Sequence, residues 1–355
     1  MLIKNLKKHS VKPRKISMAI VGLTALAVST TASALLPFKD DGNLYVAMWT
    51  ADVYNIFKKN GKAKGSITAQ GLDGPRGLAF NPANGDVWVT SEHGNSIFIF
   101  DKKHRLQTSF THPDFLEPVG ISFKMKRGVR AEDQEVYISN SGNGGIDPAK
   151  GNNIMVFDQQ GNFKRSFTRA GMVDPNCTAF FPDGSFYVSN RLGLVDGDGN
   201  ADGIIGRVDK FDKNDNFVTS FTVQGMLSLM AVARDPNGPG PWDDTVWATS
   251  GGGDRGIYEF DQDGNLLTTI LPADLSDYNG VSGAAIVPQG IAFDDNGNFT
   301  VASFSGGIYQ FDGEGNHINS YDPGPGNSRS IAFRFKESDD NEHEDEEHED
   351  EEHDD

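Results

Sequence analysis

The chain has 355 residues, 50 acidic against 32 basic side chains, a formal net charge of −18 and a single cysteine. That balance argues against nucleic-acid binding, which needs a basic face for the phosphates. One cysteine excludes an intramolecular disulfide, so stability has to come from a core that a chain of this length can build.

Residues 1 to 15 carry six Lys and Arg and no acid, residues 16 to 28 are apolar but short for a membrane span, and Ala32-Ser33-Ala34 is a small-residue cleavage signal. This predicts a secretory leader over 1–34 and a periplasmic or secreted protein that has no membrane contact once the leader is gone. An uncleaved anchor is the alternative reading.

From residue 43 four short phrases recur six times in step. The first is Gly77-Leu-Ala-Phe, with Gly120-Ile-Ser-Phe, Cys177-Thr-Ala-Phe, Met230-Ala-Val-Ala, Gly290-Ile-Ala-Phe and Ser330-Ile-Ala-Phe. The second is LYVAMWT (44–50), VWVTSE, VYISNS, FYVSNR, VWATSG and FTVASF. The third is VYNIFK, IFIFD, IMVFD, RVDKFD, IYEFD and IYQFD, and the fourth is GSI, TSF, RSF, TSF, TTI and NSY. Each is rich in β-branched and aromatic residues and alternates apolar with polar, so each predicts a half-buried strand. Turns such as Asn60-Gly61 and Asp263-Gly264-Asn265 supply the positive φ that tight hairpins need.

Four strands in each of six units predict an all-β, six-bladed β-propeller over 43–335, with four antiparallel strands per blade. The repeat begins with a second phrase at Leu44 and finishes with a lone first phrase at Ile331. The last blade is therefore expected to be closed by N- and C-terminal strands, which removes open sheet edges and favours a monomer.

Functional groups are expected on the face that carries both the second-to-third strand turns and the connections between blades, here called the top. Residues 196–206 on that face read DGDGNADGIIG. Asp198, Asn200 and Asp202 alternate oxygen ligands, Gly203 permits a sharp turn, and Ile204 can add a carbonyl, which is the pattern of a loop holding Ca2+ in a structural role. Either Asp209 or Asp196 would complete the shell; an ordinary Gly/Asp/Asn turn is the other reading of the same letters.

The residue before each first phrase marks the channel rim: Arg76, Val119, Asn176, Leu229, Gln289 and Arg329. Arg76 and Arg329 fall in neighbouring blades, so they form a candidate anion clamp. Trp49, Glu92, His93, His112, Asn140, Asn190 and Arg191 belong to the same face and join the candidate ligand-binding set. A wet channel whose polar groups satisfy one another explains the same residues without a ligand. Cys177, in a first strand, reads as a small buried hydrophobe, or as a reactive thiol if a basic neighbour is present.

Residues 336–355 hold fourteen acidic side chains and three His and are expected to be a disordered tail. Loss of the leader takes the net charge from −18 to −24, of which the tail carries −13 and the propeller −11. His343, His348 and His353, five apart among carboxylates, could hold a transition metal weakly, although a solubilising tail needs no such role.

The unit P-x-G-I-A-F, Y-V-x-x, I-x-x-F-D-x-x-G-N-F-x-x-x-F resembles the NHL repeat and, more widely, the gluconolactonase-like and streptogramin-lyase-like propellers. The resemblance covers about residues 43–335 and bears on fold more than on function. Gluconolactonase-type enzymes hold a catalytic divalent metal with Glu, Asn and Asp near the starts of the innermost strands. Of the matching positions here only Asn176 fits, and Arg76, Val119, Leu229, Gln289 and Arg329 do not. Lyase members use His-bound metal or His/Glu pairs, for which His93, Glu92 and His112 offer no complete set. The expectation is an exported binding propeller for a small molecule or a partner protein. The alternative is a hydrolase or lyase of the gluconolactonase or streptogramin-lyase type.

Overall fold

A computed structural model describes residues 39–124, 133–142, 150–191, 206–235, 244–272 and 286–336. The predicted leader, the tail with His343, His348 and His353, and the loop residues Asp196, Asp198, Asn200, Asp202 and Ile204 lie outside these.

Every repeated phrase forms a strand. Blade 1 is Pro75–Phe80, Val87–Ser91, Ser96–Phe100 and Leu106–Thr111. Blade 2 is Pro118–Lys124, Glu135–Asn140, Asn153–Phe157 and Phe163–Phe167, and blade 3 is Pro175–Phe180, Phe186–Asn190, Arg207–Phe211 and Phe217–Phe221. Blade 4 is Met226–Arg234, Val246–Gly253, Ile257–Phe260 and Leu266–Ile270, and blade 5 is Pro288–Phe293, Phe299–Ser303, Ile308–Phe311 and His317–Tyr321. In each of these five sheets the four strands pair antiparallel in chain order. Each first strand packs against the first strand of the next blade, and the ring closes on itself. Among the described residues no helix is long and apolar enough to cross a membrane.

Blade 6 joins the two ends of the propeller. Its first strand is Ser328–Lys336, which pairs with Lys39–Met48, followed by Val53–Lys58 and Ala63–Ile67. The pairing runs from Met48 opposite Ser328 to Lys39 opposite Lys336, so this sheet reaches four residues before and one beyond the predicted 43–335. An irregularity between Asp40 and Leu44, with Gly42 at φ 71°, lets the extra pairing form.

Burial follows position in the blade. Second strands such as Val87–Ser91 and Phe186–Asn190 are buried along their whole length, because neighbouring blades cover both faces. Fourth strands such as Ala63–Ile67 and Phe217–Phe221 are largely exposed.

The Phe that ends the first phrase has a packing reason. An aromatic on the second strand of one blade meets that Phe of the next: Trp88 on Phe123 at 5.6 Å, Tyr137 on Phe180 at 4.9 Å, Trp247 on Phe293 at 6.1 Å and Tyr45 on Phe80 at 4.7 Å, all edge-on. Such pairs contribute roughly 0.5–1.5 kcal/mol beyond the area they bury.

Glycine opens the phrase for a different reason. A Cβ on Gly120 would sit 1.8 Å from the Asn176 carbonyl oxygen, and one on Gly77 would sit 2.3 Å from that of Val119. First strands of adjacent blades approach closely there, which a side chain would prevent.

Hydroxyls on the second strands tie one blade to the next. Thr90 accepts the Gly77 N–H at 2.7 Å and donates to the Val119 carbonyl at 2.8 Å. Ser189 links Cys177 and Met230 in the same way, and Thr249 links Ala231 and Gln289.

These hydroxyl contacts correct the register expected in blade 4. Thr249 accepts from Ala231 as Thr90 does from Gly77, and Val232 lies opposite Ala248 as Leu78 lies opposite Val89. The phrase is therefore Ala231-Val-Ala-Arg, one residue later than Met230-Ala-Val-Ala. Leu229 accordingly packs into the core with Met226 and Tyr258, and Met230 takes the rim position.

Candidate functional site at the channel mouth

The strands bring one rim side chain from each blade to a single cavity. Arg76, Val119, Asn176, Met230, Gln289 and Arg329 line it, with Cys177 and Ser330 beside them. Arg76, Asn176 and Gln289 are 6%, 3% and 3% exposed, so their polar groups must be satisfied within the protein or by a ligand.

Arg76 is satisfied. Its Nη1 is paired with Glu92 Oε1, and its Nη2 donates to Asn176 Oδ1 at 2.8 Å. The second Glu92 oxygen accepts from the Trp49 indole at 2.5 Å. The amide of Asn176 donates to the Asp174 carbonyl at 3.1 Å.

Arg329 is held differently. Its Nη1 donates to Gln289 Oε1 at 2.8 Å, and its guanidinium lies 4.5 Å from the Trp49 ring and 4.3 Å from that of Phe304. Its buried Nε has no hydrogen-bond partner among the described residues. Burial, followed by repulsion from Arg76, pulls its pKa down to about 9. Of the two arginines expected to clamp an anion, Arg76 already has a counter-ion.

A second acid stands at this mouth that the sequence reading passed over. Burial, then the neighbouring Glu92, pushes the Glu117 carboxyl up, while Arg76 and Arg191 pull it back in part. Glu117 and Asp174 immediately precede Pro118 and Pro175, at the position Gly74 fills in blade 1. All three have positive φ: 54°, 52° and 61°. An acid where glycine is the easy choice was the available signal, because a non-glycine residue there is strained. Asp174 is fully buried, accepts from Ser141 Oγ at 2.7 Å and pairs with Arg191 Nε at 2.6 Å.

The remaining expected site residues separate from the cavity. His93 is exposed, with Nδ1 3.1 Å from Asp73 and its ring 5.1 Å from Trp49. Asn140 is consumed by structure: its side chain binds the Leu116 N–H at 2.7 Å, the Asp114 carbonyl at 2.9 Å and Asn153 at 3.0 Å. Asn190 donates to Asp209 at 2.8 Å. Burial pushes the Cys177 thiol up to about 11, which makes it a poor nucleophile at neutral pH despite Arg76 nearby.

Asp209, expected to complete the calcium shell unless Asp196 does, already has two basic partners. It is fully buried on the third strand of blade 3, in the slot that Phe98 and Met155 fill elsewhere. Arg169 grips both its oxygens, Nε at 2.7 Å and Nη2 closer still, and Arg207 Nε lies 3.2 Å away. A carboxylate between two guanidiniums already has its counter-charge, and they would repel an added cation. Among the described residues no group of three or more His, Cys, Asp or Glu is placed to hold a metal ion.

No protein-family model matches the chain. No curated protein matches it either. Solved structures do. A hydrazine synthase from Kuenenia stuttgartiensis is similar at 15% identity and TM-score 0.55, over 82% of this chain and 81% of that one. A catalytically inactive virginiamycin B lyase from Staphylococcus aureus with quinupristin is similar at 14% and 0.54, over 84% and 90%. A chain of a nidogen/laminin complex is similar at 12% and 0.56, over 82% and 98%. At these identities the likeness is one of fold, and the chain is a six-bladed β-propeller.

Proposed function

We propose that the protein is an exported binding propeller of the NHL-like kind, acting in the periplasm or outside the cell, that takes a small molecule at the top of its channel. The observation that carries this reading is the cavity to which every blade contributes a rim side chain, polar from four blades and apolar from two, with Cys177 and Ser330 beside them. Among the described residues its lining holds guanidinium, amide and apolar groups, which suit recognition of a ligand. The loop at 196–206 is read as a calcium staple of the scaffold. The test is native mass spectrometry after incubation with a mixture of small molecules, comparing the wild type with Met230→Trp, which fills the cavity. Capture by the wild type alone is the expected result; equal capture by both places the ligand elsewhere and refutes the reading.

The hydrolase or lyase alternative draws on Glu117. A carboxyl shifted towards neutral pH beside Arg76 is a general acid or base in waiting. Assays with aryl esters and lactones decide it: turnover that disappears in Glu117→Gln supports the enzyme, and its absence from the wild type removes it.

A further inference from the structure

We propose that the ligand at the channel mouth is a small organic carboxylate whose carboxylate group alone enters the cavity of about 20 Å³ and is received by Arg329. This rests on the reading of the cavity as a small-molecule site and adds the chemical class.

Three arginines surround the mouth, and two have carboxylate partners: Arg76 has Glu92 and Arg191 has Asp174. Arg329 has none among the described residues; its single hydrogen bond goes to a neutral amide. Glu92 makes no hydrogen bond to it, since one of its oxygens is paired with Arg76 and the other accepts from Trp49, and its charge supports Arg329 only from a distance. A guanidinium taken from water without a counter-ion is costly, and a site that keeps one is built for an anion that arrives from outside.

The geometry also orients the receptor. Gln289 Nε2 donates to the Pro288 carbonyl at 3.1 Å, which turns Oε1 towards Arg329 Nη1. Trp49 and Phe304 hold the guanidinium by their rings. Nε is buried without a partner and Nη2 makes no hydrogen bond among the described residues; together they form the edge of the fork that fits the two oxygens of a carboxylate.

Charge selects a carboxylate over a phosphate. One guanidinium without a directly paired carboxylate matches one negative charge, and the carboxylates of Glu92 and Glu117 would oppose a dianion more strongly. Beside this edge, Val119 and Met230 supply an apolar wall.

The experiment is calorimetry and thermal melting with phenylacetate, its neutral isostere phenylacetamide, and inorganic phosphate. The wild type should bind phenylacetate and melt higher in its presence, with phenylacetamide and phosphate at least tenfold weaker. Arg329→Gln should erase that preference. Arg329→Met should melt higher than the wild type without ligand, since it removes the uncompensated charge, and should show no melting response to phenylacetate; this establishes that the loss is not misfolding. Equal binding of acid and amide, or tighter phosphate, overturns the carboxylate class while leaving a small-molecule site standing. Absence of phenylacetate binding together with capture of a neutral molecule that Met230→Trp abolishes has the same meaning. No capture of any molecule by the wild type defeats both.

Discussion

Arg169 and Asp209, forty residues apart in the chain, are joined by a two-pronged ion pair that places a fully buried carboxylate inside blade 3. Removing one partner of such a pair strands the other charge, at a cost of about 3–5 kcal/mol. Arg169→Ala leaves Asp209 with Arg207 alone, so it should lower stability in urea by up to that much, whereas Arg169→Met, Arg207→Met and Asp209→Leu together should recover most of it. If the single variant unfolds at the wild-type midpoint, the ion pair contributes nothing to the blade.

The same pair separates Asp209 from calcium. If the loop at 196–206 takes the ion, calcium should raise the melting temperature of the wild type and of Asp209→Asn alike, and Asp202→Ala should abolish the rise. A calcium response lost in Asp209→Asn would return that residue to the ligand shell; no response in the wild type would leave the loop an ordinary turn.

Glu117 predicts a pH dependence. Its folded pKa lies above the unfolded one, so its contribution to stability is complete below the unfolded value and is lost as pH rises through the folded one. Glu117→Gln should melt higher than the wild type at pH 7 by a few degrees. The difference should vanish in acid below the usual glutamate range, where both states are already neutral. Identical melting across that range would mean the carboxyl carries no burial penalty.

Gly120 couples fold to site. An alanine there drives its Cβ into the Asn176 carbonyl, whose side chain receives Arg76. Gly120→Ala should cost about 1–3 kcal/mol, as overpacking does, and should weaken phenylacetate binding as well. Unchanged stability and affinity together would show that the first strands are free to part.

Thr90 offers a check on the ties between blades. Thr90→Val keeps the shape but strands the buried Gly77 N–H and Val119 carbonyl, a loss of roughly 1–3 kcal/mol for each group left unpaired. Hydrogen exchange at Gly77 should accelerate accordingly; protection equal to the wild type would mean that another group takes over the bond.

The blade count was legible because four phrases repeat in step, and each repeat reports the same packing demand. Blade 4 was misread by one residue because Arg234 stands where the other blades have Phe, and no glycine marks the close approach. Its register comes from Thr249 and the Val232–Ala248 pairing, which are contacts between strands and leave no local mark. The nearness of Arg76 and Arg329 followed from counting blades. Which of them is neutralised did not, because Glu92 could serve either until the ring placed it against Arg76. Arg169 was invisible as a partner for Asp209, since it comes from the connection leaving blade 2.

Blade 6 also sets the order of events during synthesis. Leu44 to Met48 emerge early, yet their partner strand, Ser328–Lys336, is made after every other strand of the ring. Until then the second strand of that blade has a bare edge and the ring cannot shut, so its closure falls late. Arg329 rides on that same final strand, so the channel-mouth cavity is completed only in the step that closes the ring.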